Sequence, residues 1–122
     1  MRSTMRDDLK AALKARDRVA VAALRSALAA IENAEALPAG EAVAGGSGSG
    51  SEHVAGAALG VGATEAERRH LTEADVRAIV AKEVRDRTEA AEEYARLDRP
   101  DAAARVQAEA EVLGRYLAAD RG

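Results

Sequence analysis

The sequence predicts an all-α fold: about four helices in an antiparallel-type bundle, interrupted by a long disordered Gly/Ser/Ala linker. Three observations predict it. Alanine supplies 32 of the 122 residues and is the strongest helix former. Trp, Phe and Cys are absent and Tyr occurs twice, whereas a small β domain draws on aromatic and β-branched residues throughout. Apolar residues recur at steps of three and four over long stretches, the period of an amphipathic helix. Without Ala, the aliphatic stock is 24 Val, Ile, Leu and Met, an amount suited to one domain.

The elements follow in order. Residues 3–16 place Met5, Leu9, Ala12 and Leu13 on one stripe, with Lys10 and Lys14 off it. Asp17 can cap a second helix, from about Arg18 to Ala36, in which Val21, Leu24, Leu28 and Ile31 recur. Pro38 and Gly40 stop it. Gly, Ala and Ser then fill 18 of the 26 positions from 38 to 63, the composition of a flexible linker outside the core. Thr64 and Glu67 suggest one loose helical turn at 64–69. Thr72 and Asp75 form a variant of the capping box, flanked by the staple residues Leu71 and Val76, so a third helix begins at Glu73. Val76, Ile79, Val80, Val84, Ala91, Tyr94 and Leu97 run along its face, and Asp98 or Arg99 closes it. Pro100 fits the first turn of a fourth helix, where Asp101 complements the dipole and Val106, Leu113 and Leu117 line the core, with Ala103 and Ala110 allowing close approach. The organisation expected is therefore helices 1 and 2 in 1–37, a linker at 38–63, and helices 3 and 4 in 64–122 packing with 1–37 as one domain.

Charge is distributed unevenly. Residues 1–37 hold seven Lys/Arg against five Asp/Glu, whereas 64–122 hold eleven against fourteen, within an overall net of −3. The first third could therefore face a phosphate backbone, or be a solvated helix surface. The absence of Cys excludes a disulfide framework, a thiolate zinc site and cysteine catalysis. No apolar run is long enough to span a membrane, and the charged segment Met1–Lys10 lacks the apolar core of a secretory signal. A soluble, cytoplasmic protein without membrane contact is the expectation.

Leu24-Arg25 with Leu28, Ile31, Asn33 and Glu35 form one distinctive patch. Leu71-Thr72, Asp75-Val76, Ile79-Val80, Lys82-Glu83-Val84 and Arg87, then Glu92-Glu93-Tyr94, form a second, and Glu109, Glu111, Val112, Leu113, Tyr116 and Leu117 a third. In this order, across 5–37 and 70–117, they resemble the GatB/YqeY family. The resemblance implies an all-α protein related to the tail region of the glutamine-dependent aspartyl/glutamyl-tRNA amidotransferase B subunit. There the tail is an accessory helical appendage that engages tRNA, while amide transfer occurs elsewhere. Two departures stand out. Leu117 is followed by Ala118 where the family has Pro, and the sequence ends at Gly122, so the small C-terminal helical domain most like that tail is expected to be missing.

Residues that could carry chemistry are few. His53 and His70 have no metal-ligand spacing, and Glu92/Glu93 and Glu109/Glu111 are explained by solvation of an outer face. The Gly-rich stretch contains neither a dinucleotide nor a P-loop pattern, nor a nucleophile elbow. The expectation is no catalytic residue, no cofactor and no metal. Arg87 projects between the Val80–Val84 stripe and Tyr94, while Arg25 borders Leu24 and Leu28. Two readings of such residues stand side by side. One is a hydrogen-bond and ion-pair set that fixes helix register. The other is a surface of Lys10, Lys14, Arg18, Arg25, Lys82, Arg87 and Tyr94 that contacts a nucleic acid or another partner.

Three function classes follow. The first is a non-catalytic accessory module linked by resemblance to tRNA-dependent amidotransferase, with tRNA or a tRNA-processing protein as partner. The second is a protein–protein interaction or scaffold module. The third is a family-level label of carbon–nitrogen ligase with glutamine as amido-N donor, for which no active site is visible.

Overall fold

A computed structural model describes residues 1–36 and 70–120. These residues form four helices, α1 (Arg2–Ala15), α2 (Arg18–Ala36), α3 (Glu73–Arg96) and α4 (Pro100–Asp120), and no strand occurs among them. The fold class is all-α, as the composition and the apolar period imply. The linker expected at 38–63 and the turn expected at 64–69 lie outside the described residues. Two compact units divide the chain, one of Met1–Ile31 with Thr72–Gly122 and one of Glu32–Leu71. Within the second, the described residues are the last turns of α2 together with His70 and Leu71.

In the first unit, each pair of consecutive helices is joined by the same device. Arg16 leaves α1 in the left-handed region (φ 59°), and the Asp17 N–H donates to the Ala12 carbonyl while the Arg16 N–H donates to that of Leu13. Asp98 repeats this after α3 (φ 61°), with Arg99 N–H donating to Tyr94 and Asp98 N–H to Ala95. These are Schellman closures built on non-glycine residues. The first connection is two residues long (16–17) and the second three (97–99), and the last residue of each leads directly into the next helix. Asp17 Oδ1 accepts from the Ala20 N–H at 3.1 Å, so the expected cap on α2 is realised. Such short connections turn the chain sharply into two helical hairpins, α1–α2 and α3–α4, and in the second the two helices pack along one another.

The α3 start also forms as its residues imply. Thr72 Oγ1 accepts from the Asp75 N–H at 3.0 Å, and Asp75 Oδ2 accepts from the Thr72 N–H at 2.9 Å. This reciprocal capping box satisfies two amide donors that the helix cannot satisfy internally.

The core consists of Met5 and Ala12 from α1, Ala23, Leu24, Ala27, Leu28 and Ile31 from α2, Val76, Val80 and Ala91 from α3, and Ala110 and Leu113 from α4. Five of these twelve are alanine. Alanine lets helix backbones approach but fills little volume, so the few large side chains, Met5, Leu24, Ile31 and Leu113, carry most of the packing. Two stripe residues differ from expectation. Leu13 is 47 % exposed, because it lies about 80° round the helix from Met5 and Ala12 takes the inward position. Leu97 is 58 % exposed because α3 has already ended at Arg96, and the helical phase no longer carries it inward.

Truncating a fully buried anchor should therefore cost far more than truncating an exposed leucine. Leu113→Ala is expected to destabilise by about 2–5 kcal/mol, and Leu97→Ala by less than about 0.5 kcal/mol. Urea midpoints of the two variants test this, and equal losses would show that the core is not where the burial places it.

Candidate nucleic-acid interface

The charged residues of the first unit divide into those consumed by internal contacts and those left at the surface. Arg87 belongs to the first group. Its Nη1 donates to Glu83 Oε1 at 2.9 Å and to the Glu83 carbonyl at 3.2 Å, and its Nε donates to Glu109 Oε1 at 3.0 Å. Ser26 Oγ donates to the same Glu83 oxygen at 2.7 Å. The side chains of Arg87, Glu83 and Glu109 are only 16 %, 17 % and 12 % exposed, so this network ties α2, α3 and α4 together in partly dry surroundings. Glu109 is thus not an outer-face carboxylate. It sits about 40° round α4 from Leu113, on the edge of the core face. Glu83, seven residues after Val76, lies within about 20° of that valine's direction.

A second polar link joins α1 to α4, where the Tyr116 hydroxyl donates to Asp8 Oδ2. Burial disfavours the phenolate, and the hydrogen bond to Asp8 adds to this, so Tyr116 is pushed well above the usual tyrosine range. Further along the α3–α4 hairpin, Arg77 Nη1 donates to the Leu117 carbonyl at 3.2 Å.

Lys82 is exposed and paired with Asp86 at 2.9 Å. Tyr94 is half-buried at the α3–α4 turn, where it lines a cleft of about 700 Å³ with Asp98, Arg99, Arg105 and Glu109. Lys82, Arg87 and Tyr94 are therefore in three different settings, and Arg87 has its donors engaged by carboxylates of its own chain.

The remaining candidates lie on the first hairpin. Lys10, Lys14, Arg18 and Arg25 are exposed, and none carries an ion pair among the described residues. Arg18 and Arg25 stand seven apart on one face of α2, with Val21 and Ala22 between them. Together with Leu13 and Arg16 these four line a groove of about 500 Å³ at the α1–α2 corner. Arg16 is one of the basic residues of the first third that could face a phosphate backbone. Its left-handed backbone, a conformation that favours glycine, turns it into the corner between the helices. Of the nearby carboxylates, Asp17 accepts the α2 cap hydrogen bond and Asp8 that of Tyr116.

No group of His, Cys, Asp and Glu that could hold a metal occurs among the described residues, and none of their helices is long and apolar enough to cross a membrane. A protein-family model described as Yqey-like protein matches residues 55–120, just over half of the chain. The chain belongs to the YqeY-like family. The match takes in all of α3 and α4, whereas the α1–α2 hairpin precedes it. The YqeY-like hairpin therefore contains the Arg87 network and the Tyr94 cleft, and the basic corner belongs to the part of the chain outside the match. Neither the curated proteins nor the solved structures compared with the chain give a match.

Two outcomes follow from the internal contacts. Arg87→Ala leaves Glu83 and Glu109 without their shared cation and should destabilise by about 2 kcal/mol, below the value for fully buried pairs because the site is partly solvated. Lys82→Ala should stay within about 0.5 kcal/mol. Thermal melts compare the two directly, and a silent Arg87→Ala would remove the network from the account of stability.

The Tyr116 contact makes a pH statement. Its folded-state value is raised, so its contribution is fully present below the unfolded value of about 10 and declines above it, as the unfolded chain ionises first. Urea midpoints measured from neutral to strongly alkaline pH should fall less steeply above about pH 10 in Tyr116→Phe than in the parent chain. Parallel curves in the two proteins would contradict the assignment.

Proposed function

We propose that this YqeY-like chain is a non-catalytic helical accessory module that contacts tRNA through the basic face of its α1–α2 hairpin. One observation carries the reading: Lys10, Lys14, Arg16, Arg18 and Arg25 are exposed on one hairpin without ion-pair partners among the described residues, while the acidic excess lies elsewhere in the chain. Unpaired cations on adjacent helices are the arrangement that displaces counterions from a phosphate backbone. Arg18 and Arg25 add planar donor forks suited to phosphate oxygens. The family relation supports RNA as the polyanion, through its link to the tRNA-dependent amidotransferase tail. With Tyr94 and Tyr116 as the only aromatics, and Tyr116 engaged with Asp8, contact to phosphate rather than stacking on bases is the mode this surface favours.

Binding of tRNA followed across salt tests the proposal. With about four phosphate contacts, affinity should fall about a hundredfold between 50 and 200 mM salt. Changing Lys10, Lys14 and Arg18 together to Glu should weaken binding and flatten its salt dependence, and the fold should survive the change because these positions are exposed. Absence of tRNA binding even at low salt would sink the proposal.

A further inference from the structure

Phosphate contact uses the cations of the α1–α2 corner and leaves its floor idle. That floor is aliphatic: Leu13, 47 % exposed, with Val21 and Ala22 beside it. Around this single apolar patch stand three guanidiniums, Arg16, Arg18 and Arg25, in a groove of about 500 Å³. A ligand complementary to all of it must offer an aliphatic knob ringed by carboxylates on one surface. An amphipathic helix does this, since positions i, i+3, i+4 and i+7 share a face. A nucleotide matches less of the groove, because no aromatic ring lines it to hold a base by stacking.

We infer that the α1–α2 corner groove is a docking site for an acidic amphipathic helix of a partner protein. An aliphatic side chain of that helix seats on Leu13 and Val21, and its flanking carboxylates pair with Arg16, Arg18 and Arg25. The inference stands on the apolar floor and does not require that tRNA bind. Where both ligands are present they exclude one another, because both draw on the same arginines.

Fluorescence anisotropy with two labelled, end-capped synthetic peptides tests it. One carries Leu at i and i+4 flanked by Glu on one helical face; the other has the same composition with its Leu residues dispersed around the helix. The amphipathic peptide should bind at least about tenfold more tightly, since only it can bury its leucines against the floor. Leu13→Ser should weaken that binding about tenfold without moving the thermal melt, Leu13→Met should restore it, and changing the three arginines to Gln should weaken it and flatten its salt dependence. Equal affinity for the two peptides overturns the inference, as does Leu13→Ser without effect or a Leu13→Met variant as weak as the serine. A loss of tRNA affinity in Leu13→Ser that matches the peptide loss would give the floor to RNA and likewise overturn it. If the peptide binds as expected while tRNA does not bind at low salt, the docking site stands and the tRNA reading falls.

Discussion

A core in which five of twelve buried residues are alanine brings helices close together but says little about how far each slides along its neighbour. Smooth small-residue surfaces pack at several registers with similar apolar burial, so directional contacts must choose among them. The Arg87 guanidinium, held between Glu83 and Glu109 while Ser26 donates to the same Glu83 oxygen, is that choice for α2, α3 and α4. Its three donor–acceptor vectors cannot all be kept if α3 or α4 shifts by one turn. The Tyr116–Asp8 bond does the same for α1 and α4. These two polar links, rather than the apolar stripes, make one arrangement of four helices better than its neighbours.

The same links engage several of the chain's charged residues. Glu83, Glu109 and Arg87 are spent inside the unit, and Asp8 and Asp17 are spent on Tyr116 and the α2 cap. The first hairpin presents Lys10, Lys14, Arg16, Arg18 and Arg25 at its surface without ion-pair partners among the described residues. A basic segment thus stands on a chain of net charge −3, because residues 1–37 hold seven Lys/Arg against five Asp/Glu.

Much of this was legible in the residues. Helix identity, the Asp17 and Thr72 caps, the stop before Pro100 and most of the core follow from apolar period and capping chemistry, and they form as expected. What was not legible depended on the third dimension. Leu97 sits at the right interval for the α3 stripe, but the helix ends one residue earlier, and periodicity does not report its own end point. Glu109 reads as a surface acid when taken with Glu111, although its phase relative to Leu113 already places it on the core edge. The cue was angular and was outweighed by residue type. Arg16 was legible as one cation of the basic first third, but its place in the corner groove was not, because it follows from a left-handed backbone that sequence preferences assign to glycine.

That last residue bears on how the corner came to have its chemistry. Both hairpin turns of the unit use a left-handed closing residue, and in neither is it glycine. At the α3–α4 turn the position holds Asp98, a type that tolerates the conformation because its short polar side chain can bond locally. At the α1–α2 turn it holds Arg16, which has no such local compensation and accepts a conformational cost of about 1 kcal/mol. A glycine there would close the turn more cheaply and remove one of the three guanidiniums from the groove. The turn therefore keeps a cation where backbone energetics alone would discard it. It does so beside Leu13, an aliphatic side chain that lies off the core face of α1. A strained cation and an unburied leucine side by side are each unfavourable for the isolated fold, and a partner that meets both at once turns the two costs into binding.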